Sequence, residues 1–520
     1  MNQNRKKSAK DVPLPPQPPI RDPPYAEYLY DIYRARLMAD QLPIATTDAY
    51  LLEEQARRVM SSEVAATEDG QAAIPPRPAA FGYIAGGAGS GTTVEANRRA
   101  LDSWALVPRM MRTGRSLPET TKGTEGPATE VVANAAKALA QAKAAAALRD
   151  LRVRLFGGPG RGAPVDLASP VVMAPVGVQC AYHPDREVGV AAACAELGVP
   201  FSISTASSSS IEEIKASLDD TDAGDSAGSP APAPWYQLYW PQDDAITASL
   251  LQRARAAGAR VLLVTVDTFT IAWRPTDLDA GYLPFLTTNE GNAIGFSDPV
   301  FRKKLAESAQ DSDYGDGDGD GDGELPTPEN SPLAAALAWT SEVFPRRGRP
   351  WRDLAVLRRL WGDDGAILIK GIQHPDDALL ARQYGADGVV VSNHGGRQVD
   401  GAVGSLEMLP EVVAAVRNAE LREAREMDST GRQPFTILFD SGIRTGADII
   451  KALCLGAQAV LVGRPVMYGL GIAGREGAKH AMAGLLADLD QTMNLVGCSS
   501  IADLGPHMLR KGDAAFKASL

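Results

Sequence analysis

The 520-residue sequence has no long uninterrupted hydrophobic stretch, and it contains only four cysteines and five histidines. A helix that crosses a bilayer needs about 20 consecutive apolar residues, so we expect neither a membrane-spanning protein nor a membrane partner. Residues 1–24 carry basic side chains without an apolar core behind them, so they do not predict a secretory signal. The cysteines, which form no CxxC pair, are Cys180, Cys194, Cys454 and Cys498. They predict neither a metal site nor a disulfide framework and favour a reducing compartment, with the cytoplasm as the default.

Basic side chains are in the minority, because 52 Lys and Arg face 64 Asp and Glu, for a net charge of −12. This balance disfavours nucleic acid as the main partner. Residues 311–324, DSDYGDGDGDGDGE, hold more than half of that net charge and no basic residue. Alternating glycine and aspartate cannot bury apolar surface, which predicts a disordered loop. A calcium site is the alternative because carboxylates supply oxygen ligands, but the apolar positions of calcium-binding β-helix repeats are missing.

Eight short β-branched runs alternate with helical stretches along the chain. Each run is apolar on both faces, as buried parallel strands are, and they lie at 171–175, 201–204, 235–240, 260–267, 366–371, 387–393, 436–440 and 459–463. Helical stretches between most of them lie at 185–197, 243–257, 375–384, 405–418 and 446–456. Eight such units predict an α/β fold of the (β/α)8 TIM barrel type. A doubly wound sheet is the alternative, although no GxGxxG motif follows the first strand.

Composition divides the chain into four parts. The Pro-rich, polar residues 1–24 predict a disordered tail, and residues 25–113 an N-terminal helical cap. Residues 114–151 predict an insertion that is polar at first and then Ala-rich and helical by propensity. The barrel is expected over 152–520, with disordered loops at about 221–234 and 308–330.

The active site of a TIM barrel forms where its strands end, and two residues there are chemically informative. Lys370 closes the apolar run AILIK, and a buried lysine requires an anionic partner or a chemical role. A Schiff-base lysine and a cation that stabilises a reduced cofactor both fit. His394 directly follows a strand beside glycines and Arg397, an arrangement that suits proton removal next to a carboxylate. Asp267, at the end of strand four, is placed to hydrogen-bond the imidazole and favour its cationic form.

The last two strands are followed by Arg444 and Arg464, each beside glycines. Glycines let backbone N–H groups approach an anion, and arginine adds charge-assisted hydrogen bonds. The loops after strands seven and eight are the usual phosphate position in this fold. The pattern therefore favours a phosphate site over two unrelated surface arginines.

Three segments, which follow one another along the chain, resemble signatures of the FMN-dependent α-hydroxy acid oxidase and dehydrogenase family. They are SNHGGRQVDGA (392–402), LFDSGIRTGADIIKALCLGA (438–457) and VGRP (462–465). The resemblance runs in order from about Tyr83 to the C-terminus, and several long motifs in order are far more specific than one short pattern. It implies FMN as the cofactor, a small anionic 2-hydroxy acid as the substrate, and a homo-oligomer.

The resemblance also implies a role for each candidate residue. The catalytic set would be His394 as the base, Asp267 as its orienting carboxylate, Lys370 beside the flavin N1–C2 carbonyl, and Tyr239. The substrate would be held by Tyr83, Tyr239, Arg274 and Arg397, the arginines clamping its carboxylate. The isoalloxazine ring would be lined by Pro175, Val176, Gly177, Ser204, Gln237, Thr265 and Ser392. The ribityl phosphate would be held by Asp440, Ser441, Gly442, Ile443, Arg444, Gly463 and Arg464. With these roles, a Schiff base on Lys370 becomes a minor alternative.

Three departures from the commoner family pattern bear on substrate and acceptor. Gly177 replaces a usual alanine, Ser204-Thr205-Ala206 replaces Ser-Ser-Trp, and Asp440-Ser441-Gly442 replaces Asp-Gly-Gly. Together with FGYIAGGAG, DTFTIAWRPTDLD and FSDPVFRKKL, they resemble the lactate 2-monooxygenase branch, which converts L-lactate to acetate and CO2. We hypothesise that Gly177 opens space for dioxygen beside the flavin. Ala206 should leave the pocket without an aromatic wall, so that it accepts side chains larger than methyl.

The leading hypothesis is FMN-dependent oxidation of a lactate-like L-2-hydroxy acid by dioxygen, with oxidative decarboxylation to acetate and CO2 as a further step. One alternative is a simple oxidase that releases the 2-keto acid and hydrogen peroxide. Another is a dehydrogenase that passes electrons to a carrier, but residues 1–80 contain no histidine and no CxxCH for a haem. A non-catalytic flavin-binding barrel is the last, yet His394, Arg397 and Arg274 are all present.

Overall fold

The structure, a computed structural model, describes residues 25–62, 77–112, 149–157, 162–224, 231–311, 326–427 and 434–512. The predicted tail, nearly all of the predicted insertion at 114–151 and most of the Gly-Asp run lie outside these residues.

Eight parallel strands form a nearly closed barrel and confirm the predicted (β/α)8 architecture. They are β1 Val171–Met173, β2 Ser202–Ile203, β3 Trp235–Leu238, β4 Val261–Thr265, β5 Ala366–Ile372, β6 Gly388–Val391, β7 Thr436–Phe439 and β8 Ala459–Val462. Neighbours in the chain are neighbours in the sheet, and β8 pairs with β1. A parallel bridge between Met173 and Phe201 brings β1 against β2.

The barrel strands are buried on both faces, which explains why their sequences read as continuous apolar runs. Inside the barrel, one cluster joins alternate strand residues such as Val172, Leu263 and Leu368. An antiparallel hairpin of Val153–Leu155 and Val165–Leu167 belongs to the same cluster and packs against the first residues of the strands. The open end for chemistry is therefore the opposite one, where the strands finish.

Helices surround the barrel. Among the described residues, four precede it: α1 Glu27–Ala39, α2 Ala49–Ser61, α3 Pro78–Ala85 and α4 Thr92–Asp102. The others are α5 Arg186–Glu196, α6 Ile211–Gly224, α7 Asp244–Ala256, α8 Pro275–Asp279, α9 Pro284–Thr287, α10 Ala293–Phe296, α11 Pro299–Asp311, α12 Pro332–Val343, α13 Leu354–Trp361, α14 Pro375–Gln383, α15 Ser405–Met427, α16 Gly446–Cys454 and α17 Arg464–Leu495. Short 3-10 helices lie at Gln179–Ala181, Trp351–Asp353, His394–Gly396, Ile501–Asp503 and Pro506–Met508. Helices α6 and α11 extend by a few residues into the ranges predicted as loops.

Two of the early helices matter for the site, because α3 lines the cleft at the strand ends and α4 packs on the turn after β6. Helix α4 contacts the 3-10 helix His394–Gly396, α3 contacts α8, and α2 packs on α17. A short antiparallel pair, Trp104–Leu106 with Leu509–Lys511, joins this region to the last described residues. In the part of the chain that the structure describes, every helix is too short or too polar to cross a membrane.

Candidate active site

A cleft lies at the carboxyl ends of the barrel strands, under α3. Most of the residues predicted for the site line it: Tyr83, Pro175, Val176, Gly177, Tyr239, Arg274, Lys370, His394, Arg397, Asp440, Ser441, Gly442, Ile443, Arg444, Gly463 and Arg464. Five predicted residues are not part of this lining: Ser204, Gln237, Thr265, Asp267 and Ser392. These five side chains are largely buried beside the cleft. Each is hydrogen-bonded to, or paired in the sheet with, another residue of the predicted site.

His394 and Asp267 form a hydrogen-bonded pair at the ends of β6 and β4. Nδ1 of His394 lies 2.8 Å from Oδ1 of Asp267. The Thr268 hydroxyl donates to the same carboxylate oxygen at 2.7 Å and lies 3.0 Å from Nδ1 of His394. Burial raises the pKa of Asp267, but its interactions with His394 and Lys370 outweigh burial and lower that pKa to about 2. The carboxylate is therefore ionised and accepts the Nδ1 proton, which leaves Nε2 as the basic nitrogen.

The environment also keeps His394 neutral. Burial lowers the pKa of His394, and nearby Lys370 lowers it further, while Asp267 acts in the opposite direction. The backbone at His394 has φ +57°, followed by +64° at Gly395 and +77° at Gly396. A histidine rarely adopts a left-handed φ, and such strain persists where the surrounding contacts over-determine it. A neutral imidazole fixed in a strained turn is suited to accept a proton.

Lys370 is a buried cation at the end of β5. Its ammonium lies 3.1 Å from Oδ2 of Asp440 and donates to the Ser392 hydroxyl at 3.1 Å. Burial lowers the pKa of Lys370, but Asp440 and Asp267 outweigh burial and raise it. A charged ammonium cannot act as the amine that a Schiff base requires, so this geometry disfavours that alternative.

Two arginines converge on Tyr83. The guanidinium carbons of Arg397 and Arg274 lie 4.7 and 6.0 Å from the centroid of the Tyr83 ring. Arg274 donates to the carbonyl of Arg397 at 3.0 Å and to Gln398 Oε1 at 2.8 Å. Burial lowers the pKa of Arg274, and the charge of Arg397 adds to that effect. Two close cations beside one cleft favour an anion between them.

The second pair of predicted arginines follows β7 and β8. Arg464 is partly buried, and its guanidinium donates to the carbonyls of Ile84, Gly395 and Gly86 at 2.8–3.0 Å. Burial lowers its pKa to about 10. The segment of Arg444 is fixed by the N-terminal cap of α16, because Asp448 accepts from the Arg444 N–H at 3.1 Å. Both side chains line the cleft beside Gly442 and Gly463, as a phosphate site requires.

Two buried polar atoms test whether a flavin ring fits. The amide nitrogen of Gln237 and the hydroxyl of Thr265 have no hydrogen-bond partner among the described residues. Gln237 accepts from the Ser204 hydroxyl at 3.1 Å, and Thr265 pairs in register with Lys370. A buried polar group without a hydrogen-bond partner is costly. The polar edge of a flavin ring would supply partners for both groups. The residues fit the expected flavin.

Two expectations about the pocket wall are wrong. A Cβ at position 177 would lie 2.7 Å from the Ala206 Cβ and closer still to the Ala206 carbonyl oxygen. Gly177 is therefore required for the close approach of the two loops and opens no space for dioxygen. An aromatic wall is also present despite Ala206. Phe344 lines the cleft with its centroid 5.2 Å from Tyr239 and 5.4 Å from Phe285, which lines it too.

Several contributors to the site had no separate prediction. Thr268 follows Asp267 directly, and this adjacency to a candidate carboxylate was its only signal. Phe285 and Phe344 come from helices between β4 and β5, and nothing local in the sequence marks them as wall residues. Ser441 was assigned to phosphate, but its hydroxyl donates to Asp440 at 2.8 Å and accepts from the Gly395 N–H at 3.0 Å.

Known proteins resemble this chain over the whole barrel. A family model described as FMN-dependent dehydrogenase matches residues 134–511. The chain is 42% identical over 494 residues to the FMN-dependent alpha-hydroxy acid dehydrogenase qulF of Penicillium citrinum, covering 95% of this chain and 97% of that protein. It is 30% identical over 444 residues to an L-lactate oxidase of Lysinibacillus sphaericus (strain C3-41), covering 85% and 90%. A solved structure of mandelate oxidase with (S)-4-hydroxymandelic acid superposes with a TM-score of 0.61 and 29% identity, covering 89% and 98%.

Proposed function

The chain belongs to the FMN-dependent dehydrogenase family and is an FMN-dependent α-hydroxy acid oxidoreductase, and from this premise we propose that it oxidises a lactate-like L-2-hydroxy acid with dioxygen as the acceptor. The observation that carries the proposal is the hydrogen bond of His394 to Asp267, with His394 in one cleft with Arg274 and Arg397. The relative named L-lactate oxidase supports both the substrate and the acceptor.

The cleft residues divide into a cofactor side and a substrate side. FMN, when bound, takes up the two electrons that the substrate loses and passes them to the acceptor. Arg444 and Arg464, with the glycines beside them, would hold its phosphate. The orphaned amide of Gln237 and hydroxyl of Thr265 would bond its ring. Lys370, kept charged by Asp440, would supply a positive charge at the ring.

On the substrate side, Arg274 and Arg397 would bind the carboxylate, with Tyr83 next to both guanidinium groups. Burial raises the pKa of Tyr239, so its hydroxyl stays protonated and would donate a hydrogen bond to the substrate. Nε2 of His394 would accept the substrate proton. The ionised Asp267 would then stabilise the imidazolium that forms, as a carboxylate partner does in other histidine bases.

The products distinguish two versions of this reaction. Transfer of two electrons to dioxygen yields the 2-keto acid and hydrogen peroxide. If the peroxide then attacks retained pyruvate, L-lactate and dioxygen yield acetate, CO2 and water. The segments that resemble the lactate 2-monooxygenase branch support this further step, whereas the packing of Gly177 against Ala206 gives it no support.

A specific observation also favours one alternative acceptor. The relative that is 42% identical is named a dehydrogenase, which supports electron transfer to a carrier instead of dioxygen. A non-catalytic flavin-binding barrel is disfavoured, because the geometry of a base and of two cations is intact.

One assay separates these outcomes. Purified holoenzyme is mixed with L-lactate in air, and oxygen uptake, peroxide, pyruvate and acetate are measured. Rapid oxygen uptake supports the proposed acceptor, and acetate in place of pyruvate and peroxide supports decarboxylation. Reduction of the enzyme without oxygen uptake would favour a dehydrogenase. His394→Ala serves as the control, because it removes the base without touching the phosphate side.

We also propose a homo-oligomer in the cytoplasm. Large apolar side chains stand exposed on α1 and at the start of α2, among them Tyr33, Leu37, Met38 and Leu51. Contiguous exposed apolar surface is typical of a protein–protein interface, and a second copy of the chain is the occupant that we propose. All four cysteines are free thiols, which supports a reducing compartment.

A further inference from the structure

Ser441 connects two parts of the site that come from different barrel units. Its hydroxyl donates to Oδ1 of Asp440 at 2.8 Å, and Asp440 pairs through Oδ2 with Lys370 at 3.1 Å. The same hydroxyl oxygen accepts the N–H of Gly395 at 3.0 Å. One side-chain oxygen thus links the buried ion pair at the ends of β5 and β7 to the turn that follows β6.

The backbone at Ser441 is strained. Its φ is +84°, a left-handed value that glycine adopts freely and other L-residues avoid. The related family pattern has glycine at this position, which would carry no strain and no hydroxyl. Strain of this kind persists only where surrounding contacts over-determine it. The serine is therefore retained in an unfavourable conformation that places its hydroxyl between Asp440 and Gly395.

Gly395 is the residue directly after His394, and it is held from both sides. Its N–H donates to Ser441, and its carbonyl accepts from Nη1 of Arg464 at 2.8 Å. The turn is also held at its two ends, because the His394 N–H donates to the Ser392 hydroxyl at 3.0 Å and the Gly396 carbonyl accepts from the Ala88 N–H at 2.9 Å. Asp267 and Thr268 contact the imidazole at Nδ1, and the anchors at Gly395 hold the backbone from which the imidazole projects.

We propose that the Ser441 hydroxyl is a positioning group that fixes the turn of His394 relative to the Lys370–Asp440 pair. The inference rests on the proposed role of His394 as the base. Loss of the hydroxyl leaves the Gly395 N–H without this acceptor, and the imidazole moves away from its proton-accepting position. Because a misplacement of about 1 Å can cost about 100-fold in rate, a hydroxyl-free variant should lose turnover without losing the carboxylate clamp.

Two variants separate the hydroxyl from the backbone strain. Ser441→Ala and Ser441→Gly both lack the hydroxyl, but only glycine relieves the left-handed φ. The glycine variant should therefore melt at a higher temperature than the alanine variant, with or without FMN. Both should nevertheless show the same loss in kcat, at least about tenfold, because a misplaced base lowers the rate of the chemical step. KM and the FMN affinity of the apoprotein should change less than threefold.

The outcomes are distinct. If Ser441→Gly keeps the wild-type kcat, or if kcat follows the melting temperature across the two variants, the hydroxyl has no positioning role. A kcat loss that is matched by a loss of FMN affinity would assign Ser441 to cofactor binding and overturn the inference. A wild-type enzyme that oxidises no 2-hydroxy acid would remove the proposed function and this inference together. An active wild type with an equally active Ser441→Gly would remove this inference alone.

Discussion

Asp267 binds His394 through Nδ1, with 2.8 Å between that nitrogen and the carboxylate Oδ1. The contact sets which nitrogen is basic, and burial keeps the ring neutral despite the neighbouring carboxylate. A base of this type needs no prior deprotonation at neutral pH.

The activity should fall on the acid side with an inflection below pH 6.5, because burial lowers the pKa of His394 from that value. Protonation of His394 removes the base, so kcat/KM should be flat above the inflection and decline below it. Asp267→Asn removes the charge that raises this pKa, so its inflection should move to lower pH. Asp376→Asn, a charge change at the exposed His374 pair, is the matched control and should leave the inflection in place. An upward or absent shift in Asp267→Asn would contradict the assignment.

Gly177→Ala should destabilise the protein by about 1–3 kcal/mol, the usual cost of overpacking. The added Cβ would lie 2.7 Å from the Ala206 Cβ. Gly484→Ala is the control, because position 484 is helical and has no heavy atom within 4 Å of an added Cβ. That change should be neutral or stabilising by up to about 1 kcal/mol. Equal urea midpoints for Gly177→Ala and the wild type would restore the idea of open space at this position.

The barrel and most of the site follow from the sequence because buried strands and their polar ends are local patterns. The run AILIK ends in Lys370, a buried lysine that needs an anionic partner. Its position at a strand end predicts that it lies in the cleft, even when the partner is not known. Contacts between segments that are distant in the chain cannot be predicted in this way. The approach of Ala206 to Gly177 depends on how two separate loops meet, and no local pattern in either loop encodes it.

The antiparallel hairpin that packs against the barrel could not be predicted from local sequence either. Val153–Leu155 and Val165–Leu167 are three residues each, with a charged residue in the middle, so they resemble ordinary loop sequence. They become strands because Leu155 and Val165 are buried in the barrel cluster. Phe344 was missed for a similar reason, since it ends a helix far from the motifs in the chain.

Lys370→Met should cost about 3–5 kcal/mol of stability, because it leaves the Asp440 carboxylate buried without its partner. The double variant Lys370→Met/Asp440→Asn removes both charges and should recover a large part of that loss. Urea unfolding of the apoproteins measures both values without cofactor effects. A double variant no more stable than the single one would show that the two side chains are not coupled.

The exposed apolar face of α1 should mediate self-association. Leu37→Glu places a charge where a side chain is 84% exposed, and a partner that covers this position would exclude the charge. Size-exclusion chromatography with light scattering should show a smaller assembly than the wild type. Leu421→Glu, an exposed leucine on α15, is the matched control and should not change the mass. A monomeric wild type would contradict the proposed homo-oligomer.

The most direct measurement is the anaerobic titration of purified, yellow holoenzyme with L-lactate and larger L-2-hydroxy acids. We expect the flavin absorbance to bleach with at least one of them. We also expect His394→Ala to retain FMN but to bleach at least about 100-fold more slowly, the usual contribution of a general base. An enzyme that bleaches with no L-2-hydroxy acid would contradict the proposed function, and a His394→Ala variant that bleaches at the wild-type rate would contradict the role of His394 as the base.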